Sequence, residues 1–279
     1  MNKIILITGA SSGIGLACAN ALAAHGHTVF GSSRDLKKLE FANFIPVKLD
    51  VTEPASIEAV YEQILARYGR LDVLINNAGS ALAGPTYATP MDRTRYQFEV
   101  NFFGVLAVSN MVLPEMILKK KGLIVNISSL AGLFGLPYQG MYSASKYALE
   151  GYSQSLRMEL RNTGVKVVLI NPGDFKSGLT LSREKTPFAL DNPELKAQYL
   201  FALKAMERDE TKGMDPQALA KKIVDIVAGE KPDHRYLVGS FGERIVPVLK
   251  CLLPSSWFEN LMNHHYGITS RSSKQWEHH

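Results

Sequence analysis

Cysteine is nearly absent: Cys18 and Cys251 are the only two in 279 residues, and they stand far apart. That excludes a disulfide framework and fits a reducing compartment. Cys18 falls in the first expected helix and reads as core. Long apolar runs are also lacking. Ile4–Ile7 is too short for the hydrophobic stretch of a secretory leader, and no run reaches the roughly 18 apolar residues of a membrane span. A cytoplasmic location is expected. No linker rich in Pro, Gly or Ser interrupts the first 175 residues, and no internal repeat is visible. One domain is favoured. Clustered positive charge is missing as well. The formal net charge of +5 is dispersed; Lys119–Lys121 read as a helix C-terminus, where cations are favourable, and Lys221–Lys222 as a solvated helix face. No nucleic-acid partner is expected. His264–His265 have no other plausible ligands nearby, so no metal site is expected. The terminal residues 278–279 read as the remnant of a tag.

What the chain does have is apolar residues, 46% of the total, in an alternating pattern. Strands are expected over 3–8, 27–33, 44–49, 71–76, 122–128, 165–170 and 235–239. Helices are expected over 13–25, 54–68, 91–119, 141–162 and 215–229. Pro54 suits a helix's first turn, whereas Pro114 should kink or shorten the fourth helix. Segments such as ILIT, VLIN and LIVNIS are continuous apolar runs, as in parallel strands covered on both faces. Alternating strands and helices of this kind predict an α/β, doubly wound parallel sheet, the Rossmann fold, with its ligand crevice at the carboxyl ends of the strands.

Two motifs carry chemistry. Tyr142 and Lys146 are four residues apart, on one face of a helix, and Ser129 lies thirteen residues before Tyr142. A nearby ammonium lowers the pKa of a phenol, and a neutral hydroxyl beside it can hold a substrate oxygen. The set suits proton transfer to or from an alcohol. At the N-terminus, a strand runs into Gly9, Gly13 and Gly15 and then a helix. Gly9 permits a tight turn, and Gly13 and Gly15 leave room for a pyrophosphate beside the helix's free N–H groups. The spacing is G-x-x-x-G-x-G rather than G-x-G-x-x-G.

TGASSGIG at Thr8–Gly15, LDVT at Leu49–Thr52, NNAG at Asn76–Gly79, Asn101 in VNFFG, Ser129, the Tyr142–Lys146 pair and NPG at Asn171–Gly173 occur in this order. The chain thereby resembles the short-chain dehydrogenase/reductase family over about residues 1–240. The resemblance implies an oxidoreductase interconverting a ketone and a secondary alcohol. It makes Asn101, Ser129, Tyr142 and Lys146 catalytic: Tyr142 as proton donor, Ser129 on the same oxygen, Lys146 on the nicotinamide ribose and on the Tyr142 pKa, Asn101 on a water linking Lys146 to solvent. A buried asparagine in mid-helix can equally just satisfy a backbone carbonyl. Ser128 is expected to satisfy neighbouring backbone groups. Tyr138, Tyr147 and Tyr152 lack a lysine four residues on.

The cofactor-binding set expected on the same grounds is Gly9, Ser11, Ser12, Gly13, Ile14, Gly15, Ser33, Arg34, Asp50, Val51, Asn77, Ala78, Gly79, Tyr142, Lys146, Pro172, Gly173, Phe175 and Ser177. Ser177 stands where the family often has a carboxamide-binding threonine. Phe175 can cover the nicotinamide or simply pack. At the end of the second strand, Ser33 replaces the acid that grips a ribose hydroxyl in NAD enzymes, and Arg34 can pair with a 2′-phosphate. NADP(H) is expected over NAD(H). Asp35 reverses this reading if the alignment slips by one residue, and Arg34 can also be a solvated loop charge.

A substrate lid is expected at about 178–213, with Leu179, Leu181, Phe188, Leu190, Tyr199, Leu200, Phe201, Leu203 and Met206 facing either the substrate or the body. With the apolar stretch Leu130–Tyr138 as a wall, the substrate should be an apolar carbonyl or alcohol, steroid-like or a lipid ketone. Residues 241–277 extend past the usual family end as amphipathic helices broken by Pro247 and Pro254. Three uses compete: packing on the subunit, covering the substrate mouth, or resting on a membrane surface. A homodimer or homotetramer through the helices over 91–119 and 141–162 is implied by the resemblance. The alternatives are a ketoacyl-thioester reductase, a non-catalytic NADP-binding regulator, and a lyase or epimerase of a related extended family.

Overall fold

In the first strand, β1 (Ile4–Ile7), alternate side chains enter two different cores. Ile5 and Ile7 pack with Ala17, Leu22, Ile223 and Val227 on one face. Ile4 and Leu6 pack with Ile57, Ile64, Val112 and Leu156 on the other. A strand apolar at every position therefore sits in a sheet covered on both sides, as its sequence requires. The computed structural model describes residues 2–40, 42–176, 183–187 and 192–268.

The strands β2 (Thr28–Ser33), β3 (Ile45–Lys48), β4 (Val73–Asn76), β6 (Gly122–Ile127), β7 (Val165–Pro172) and β9 (Arg235–Val238) join β1 in a seven-stranded parallel sheet of order β3-β2-β1-β4-β6-β7-β9. One face carries α1 (Gly13–Ala24) and α7 (Pro216–Ala228). The other carries α2 (Pro54–Tyr68), the continuous helix α3–α4 over Met91–Leu118, and α5 (Gly140–Glu159). The strand order reverses between β1 and β4, which opens a crevice at their carboxyl ends. A small pair, β5 (Leu82–Ala83) with β8 (Glu184–Lys185), lies apart from the main sheet. Three further helices follow: α6 (Pro193–Lys212), α8 (Phe241–Leu252) and α9 (Ser255–His265).

Three expectations change. Pro114 neither ends nor shortens its helix, which runs on to Leu118; the irregularity lies earlier, in a π-helical turn over Glu99–Phe103 that carries Asn101. Pro247 sits inside α8, and only Pro254 divides the tail helices. The helix Met91–Leu118 is long and apolar enough to cross a membrane by length and composition, although half of that window is buried in the fold. Its apolar residues are spread through polar ones, so run length alone did not reveal it.

Buried polar side chains tie the layers together behind the crevice. Asn76 and Asn126 are paired across β4 and β6, and the Asn76 amide donates to Asn126 Oδ1 at 2.9 Å and to Ser109 Oγ at 3.1 Å. The Asn126 amide donates to Ser153 Oγ at 2.9 Å. Because a buried polar group is costly unless paired, these contacts fix how α4 and α5 sit on the sheet.

Candidate active site

The first wall of the crevice is the turn after β1. Gly9 has φ of 69°, and a Cβ there would stand 2.8 Å from Ala78 Cα. The turn is stitched to the one after β4: Thr8 Oγ1 accepts from the N–H groups of Asn77 and Ala78, each at 3.0 Å, and the Asn77 amide donates to the Thr8 and Gly9 carbonyls. A Cβ at Gly15 would collide with the Gly9 carbonyl and the Asn77 amide. Gly15 is thus required by this close packing, a different reason from the pyrophosphate clearance its spacing suggested. The first turn of α1 has neither a side-chain cap nor an acidic residue, so its N–H groups remain available to an anion.

A cavity of about 410 Å³ runs from this turn along the strand ends. Gly9, Ser11, Ser12, Gly13, Ile14, Gly15, Ser33, Arg34, Asp50, Val51, Asn77, Ala78, Gly79, Ser129, Tyr142, Lys146, Pro172, Gly173 and Phe175 all line it. Ser177 lies outside the described residues. An elongated cleft with an uncapped helix terminus near its middle fits a dinucleotide. At its far end, Arg34 is exposed and donates to Tyr96 Oη at 2.6 Å. Lys38, which the motif reading missed, adds a second cation. Asp35 also lines the cavity, but its carboxylate caps the following turn by accepting from Lys37 N at 3.1 Å. The Asp50 carboxylate is likewise engaged, with the N–H and hydroxyl of Thr52. Phe175 is buried in the core cluster with α1 and α7 as well as lining the cleft.

The reacting groups stand at the opposite end. Ser129 Oγ accepts from Ala131 N at 3.1 Å, which leaves its O–H to donate towards the half-buried Tyr142 phenol within reach. Lys146 is buried, with Nζ donating to the Ile127 carbonyl at 2.9 Å and lying 5.9 Å from the Tyr142 ring centre. Burial lowers the Lys146 pKa to about 8, and the carboxylate of Glu150 works against that fall. Tyr142 is pushed up by burial. The Ser129 hydroxyl and the Arg183 guanidinium pull it down, while Glu210 and Asp174 push it up. The expected depression by Lys146 is not found, because the ammonium points to a backbone carbonyl.

Asn101 is fully buried. Its Oδ1 accepts from Ser80 N at 2.8 Å, and its Nδ2 donates to Ser80 O and to Ser145 Oγ, each at 3.1 Å. Ser145 in turn donates to the Tyr142 carbonyl at 2.7 Å. The Asn101 side chain therefore positions the Ser80 turn and the start of α5; it does not reach Lys146. Ser128 departs from expectation too: its buried hydroxyl meets no partner among the described residues. Tyr138 stacks on Tyr199, Tyr147 accepts from Lys250 Nζ at 2.5 Å, and Tyr152 packs edge-on against Phe102, so all three rival tyrosines are occupied elsewhere.

A polar triad braces Ser129 from behind: Asn171 belongs to the NPG motif, whereas Glu150 and Arg235 were missed by motif reading. Asn171 Nδ2 donates to the Ser129 carbonyl at 2.9 Å and to Glu150 Oε1 at 2.6 Å; Arg235 donates to Asn171 Oδ1 and pairs with Glu150 at 2.6 Å. The signal available was Glu150's position four residues after Lys146, on the same helix face. Arg235, on a distant strand, had none.

Tyr142, Ser129, Pro172, Gly173, Asp174 and Glu210 also line a second cavity of about 560 Å³. Its walls are Leu130, Ala131, Phe134, Leu136, Met206 and Met214, closed by Val246, Leu261, Met262 and Tyr266 from the tail. Phe258 packs against Phe134 with ring centres 5.6 Å apart. The tail helices thus pack on the body and wall the cavity at once. Of the lid residues expected to face either the substrate or the body, Met206 lines the cavity; Tyr199 and Leu203 pack with Ala83 and Tyr266, and Leu200 is exposed. Leu179, Leu181, Phe188 and Leu190 lie outside the described residues.

Residues 3–187 match the model of the short-chain dehydrogenase family. The chain is 39% identical over 266 residues to a 3-ketodihydrosphingosine reductase of Bacteroides thetaiotaomicron, covering 95% of this chain and 98% of that one. Among solved structures it is similar to a short-chain dehydrogenase from Streptomyces avermitilis, with 33% identity, a TM-score of 0.78, and 94% and 96% of the two chains covered. It is also similar to a short-chain dehydrogenase/reductase from Burkholderia phymatum in complex with NAD, with 25% identity, a TM-score of 0.78, and coverage of 93% and 95%. The chain belongs to the short-chain dehydrogenase/reductase family and is an oxidoreductase that acts on CH–OH and C=O groups with a nicotinamide cofactor.

Proposed function

We propose that this protein is an NADP(H)-dependent reductase of long-chain ketones, with 3-ketodihydrosphingosine as the reference substrate. The observation that carries the reading is that Tyr142 and Ser129 line both cavities, the dinucleotide cleft and the apolar one. A carbonyl entering from the apolar side meets both hydroxyls beside the cofactor end. Arg34 and Lys38 at the cleft's far end, with the Asp35 carboxylate engaged in a cap, support a 2′-phosphate rather than a bare ribose hydroxyl. The relative's name supports the substrate class, and the apolar walls suit an alkyl chain.

The bound cofactor supplies hydride at its nicotinamide ring. The chain supplies the proton and the positioning. Tyr142 donates its proton to the carbonyl oxygen as that oxygen gains charge, and the Ser129 hydroxyl hydrogen-bonds the same atom. Lys146, its ammonium held on the Ile127 carbonyl, would bind the ribose hydroxyls of the cofactor. Asn101 and the Asn171–Glu150–Arg235 triad hold these groups in place.

Exposed Phe241, Val248, Leu252 and Trp257 on α8 and α9, near the apolar cavity, support a membrane-surface contact through the tail. Exposed Phe103, Leu118 and Met158 on the long helices support a homo-oligomer. The test is NADPH absorbance followed with 3-ketodihydrosphingosine and a panel of alkyl ketones, beside NADH. Oxidation of NADPH faster than NADH is expected; no turnover with any long-chain ketone removes the proposal.

A further inference from the structure

The apolar cavity has a charged end beside Tyr142, where Asp174, Arg183, Asp209, Glu210 and Glu243 converge. Asp174 is fixed by its backbone: its N–H donates to Glu243, and its carbonyl accepts from Met214 N at 2.9 Å. Asp174 lines both cavities, and its carboxylate meets no donor among the described residues. Burial, then the carboxylates of Glu243, Glu210 and Asp209, push its pKa up to about 7, with Arg183 pulling the other way. Arg183 has a side chain only 1% exposed. It pairs with Glu210, yet its Nε and Nη1 meet no partner among the described residues. A buried guanidinium with unmet donors and a carboxylate without a donor are both unfavourable. Together they fit a ligand that brings one cation and one acceptor.

We infer that this end of the cavity is a subsite for an amino-alcohol head group. The ammonium sits on Asp174, flanked by Glu210, and the neighbouring hydroxyl oxygen accepts from Arg183. The alkyl chain runs along Leu130, Phe134 and Met262. The inference rests on the ketone-reductase reading and deepens it: the substrate is a long-chain ketone with an ammonium on the adjacent carbon. Four carboxylates here face Arg183, the rim residue Lys212, and His265 in contact with Asp209, a balance that disfavours an acidic head group.

The experiment measures kcat/KM with NADPH for three ketones of equal chain length: the amino ketone with its hydroxyl, the same molecule without the amine, and the N-acetylated form. The wild type prefers the amino ketone over both by about tenfold or more, an ion pair's worth of discrimination. In Asp174→Asn the preference falls close to one. Equal kcat/KM for the charged and acetylated ketones in the wild type overturns the inference, as does a β-keto acid of the same length outperforming the amino ketone. If ketones lacking the amine are reduced well, the reductase reading stands without the subsite; if none of the set is reduced, both fall.

A second readout separates a ligand-binding Asp174 from a structural one. A carboxyl with its folded pKa near 7 instead of 3.8 costs stability fully above pH 7, and progressively less as the pH falls to 3.8. Asp174→Asn therefore raises the thermal midpoint at pH 8 and leaves it unchanged at pH 3.5. A lower midpoint at pH 8 assigns Asp174 to the fold and overturns its role in the subsite.

Discussion

The dinucleotide cleft is walled by short turns that each follow a strand of the parallel sheet, at Gly9–Gly15, Asn77–Gly79 and Pro172–Gly173. The apolar cavity is walled by side chains from the loop after β6, from α6 and from the two tail helices. In the cleft the backbone does the work, so glycine and asparagine at fixed spacing are required. In the cavity, side chains of many kinds can fill the same wall, and spacing carries little information. A chemistry shared across the family and a substrate preference particular to one member can thus occupy adjoining halves of one crevice.

Substitutions on the two sides should behave differently, and the largest effect belongs to the junction. Lys146→Met removes the buried ammonium that would orient the cofactor ribose and should lower kcat by about 10²-fold or more. Below its pKa of about 8, Lys146 is protonated; above it, the charge is lost. Reductive kcat/KM in the wild type should therefore be level below pH 8 and decline above it, and a profile that rises through pH 8 contradicts this role. On the cleft side, Gly15→Val places a side chain against the Gly9 carbonyl. It should abolish NADPH binding, read by fluorescence titration, and lower stability by about 1–3 kcal/mol. Arg34→Ala should raise the KM for NADPH by about 10–100-fold, the loss of one charge-assisted contact, with little change for NADH. The smallest effect is expected on the tail. Trp257 is 66% exposed, and Trp257→Ser should reduce co-sedimentation with anionic vesicles severalfold while leaving turnover of a short soluble ketone unchanged.

The sheet was legible because its strands are apolar on both faces, and all seven expected main-sheet strands are present. The cleft was legible because turns at strand ends demand particular residues; every described residue expected to bind cofactor lines it. The direction of the Tyr142 pKa was not legible, because i and i+4 spacing places Lys146 on the right face without saying where its ammonium points. Nor was the use of Asn101, whose contacts depend on the π-helical turn at Glu99–Phe103. The charged end of the cavity was hidden for another reason. Asp174, Arg183, Glu210 and Glu243 are spread over some seventy positions on four segments, and only the packing of α6 and α8 over the strand ends brings them together.

The most direct test of the account is stopped-flow NADPH oxidation by wild type and Tyr142→Phe with 3-ketodihydrosphingosine, with NADPH affinity measured on both. The account predicts that the variant binds NADPH as the wild type does while its single-turnover rate falls at least about a hundredfold. A variant that reduces the ketone at the wild-type rate would show that the phenol is not the proton donor and would contradict the central claim.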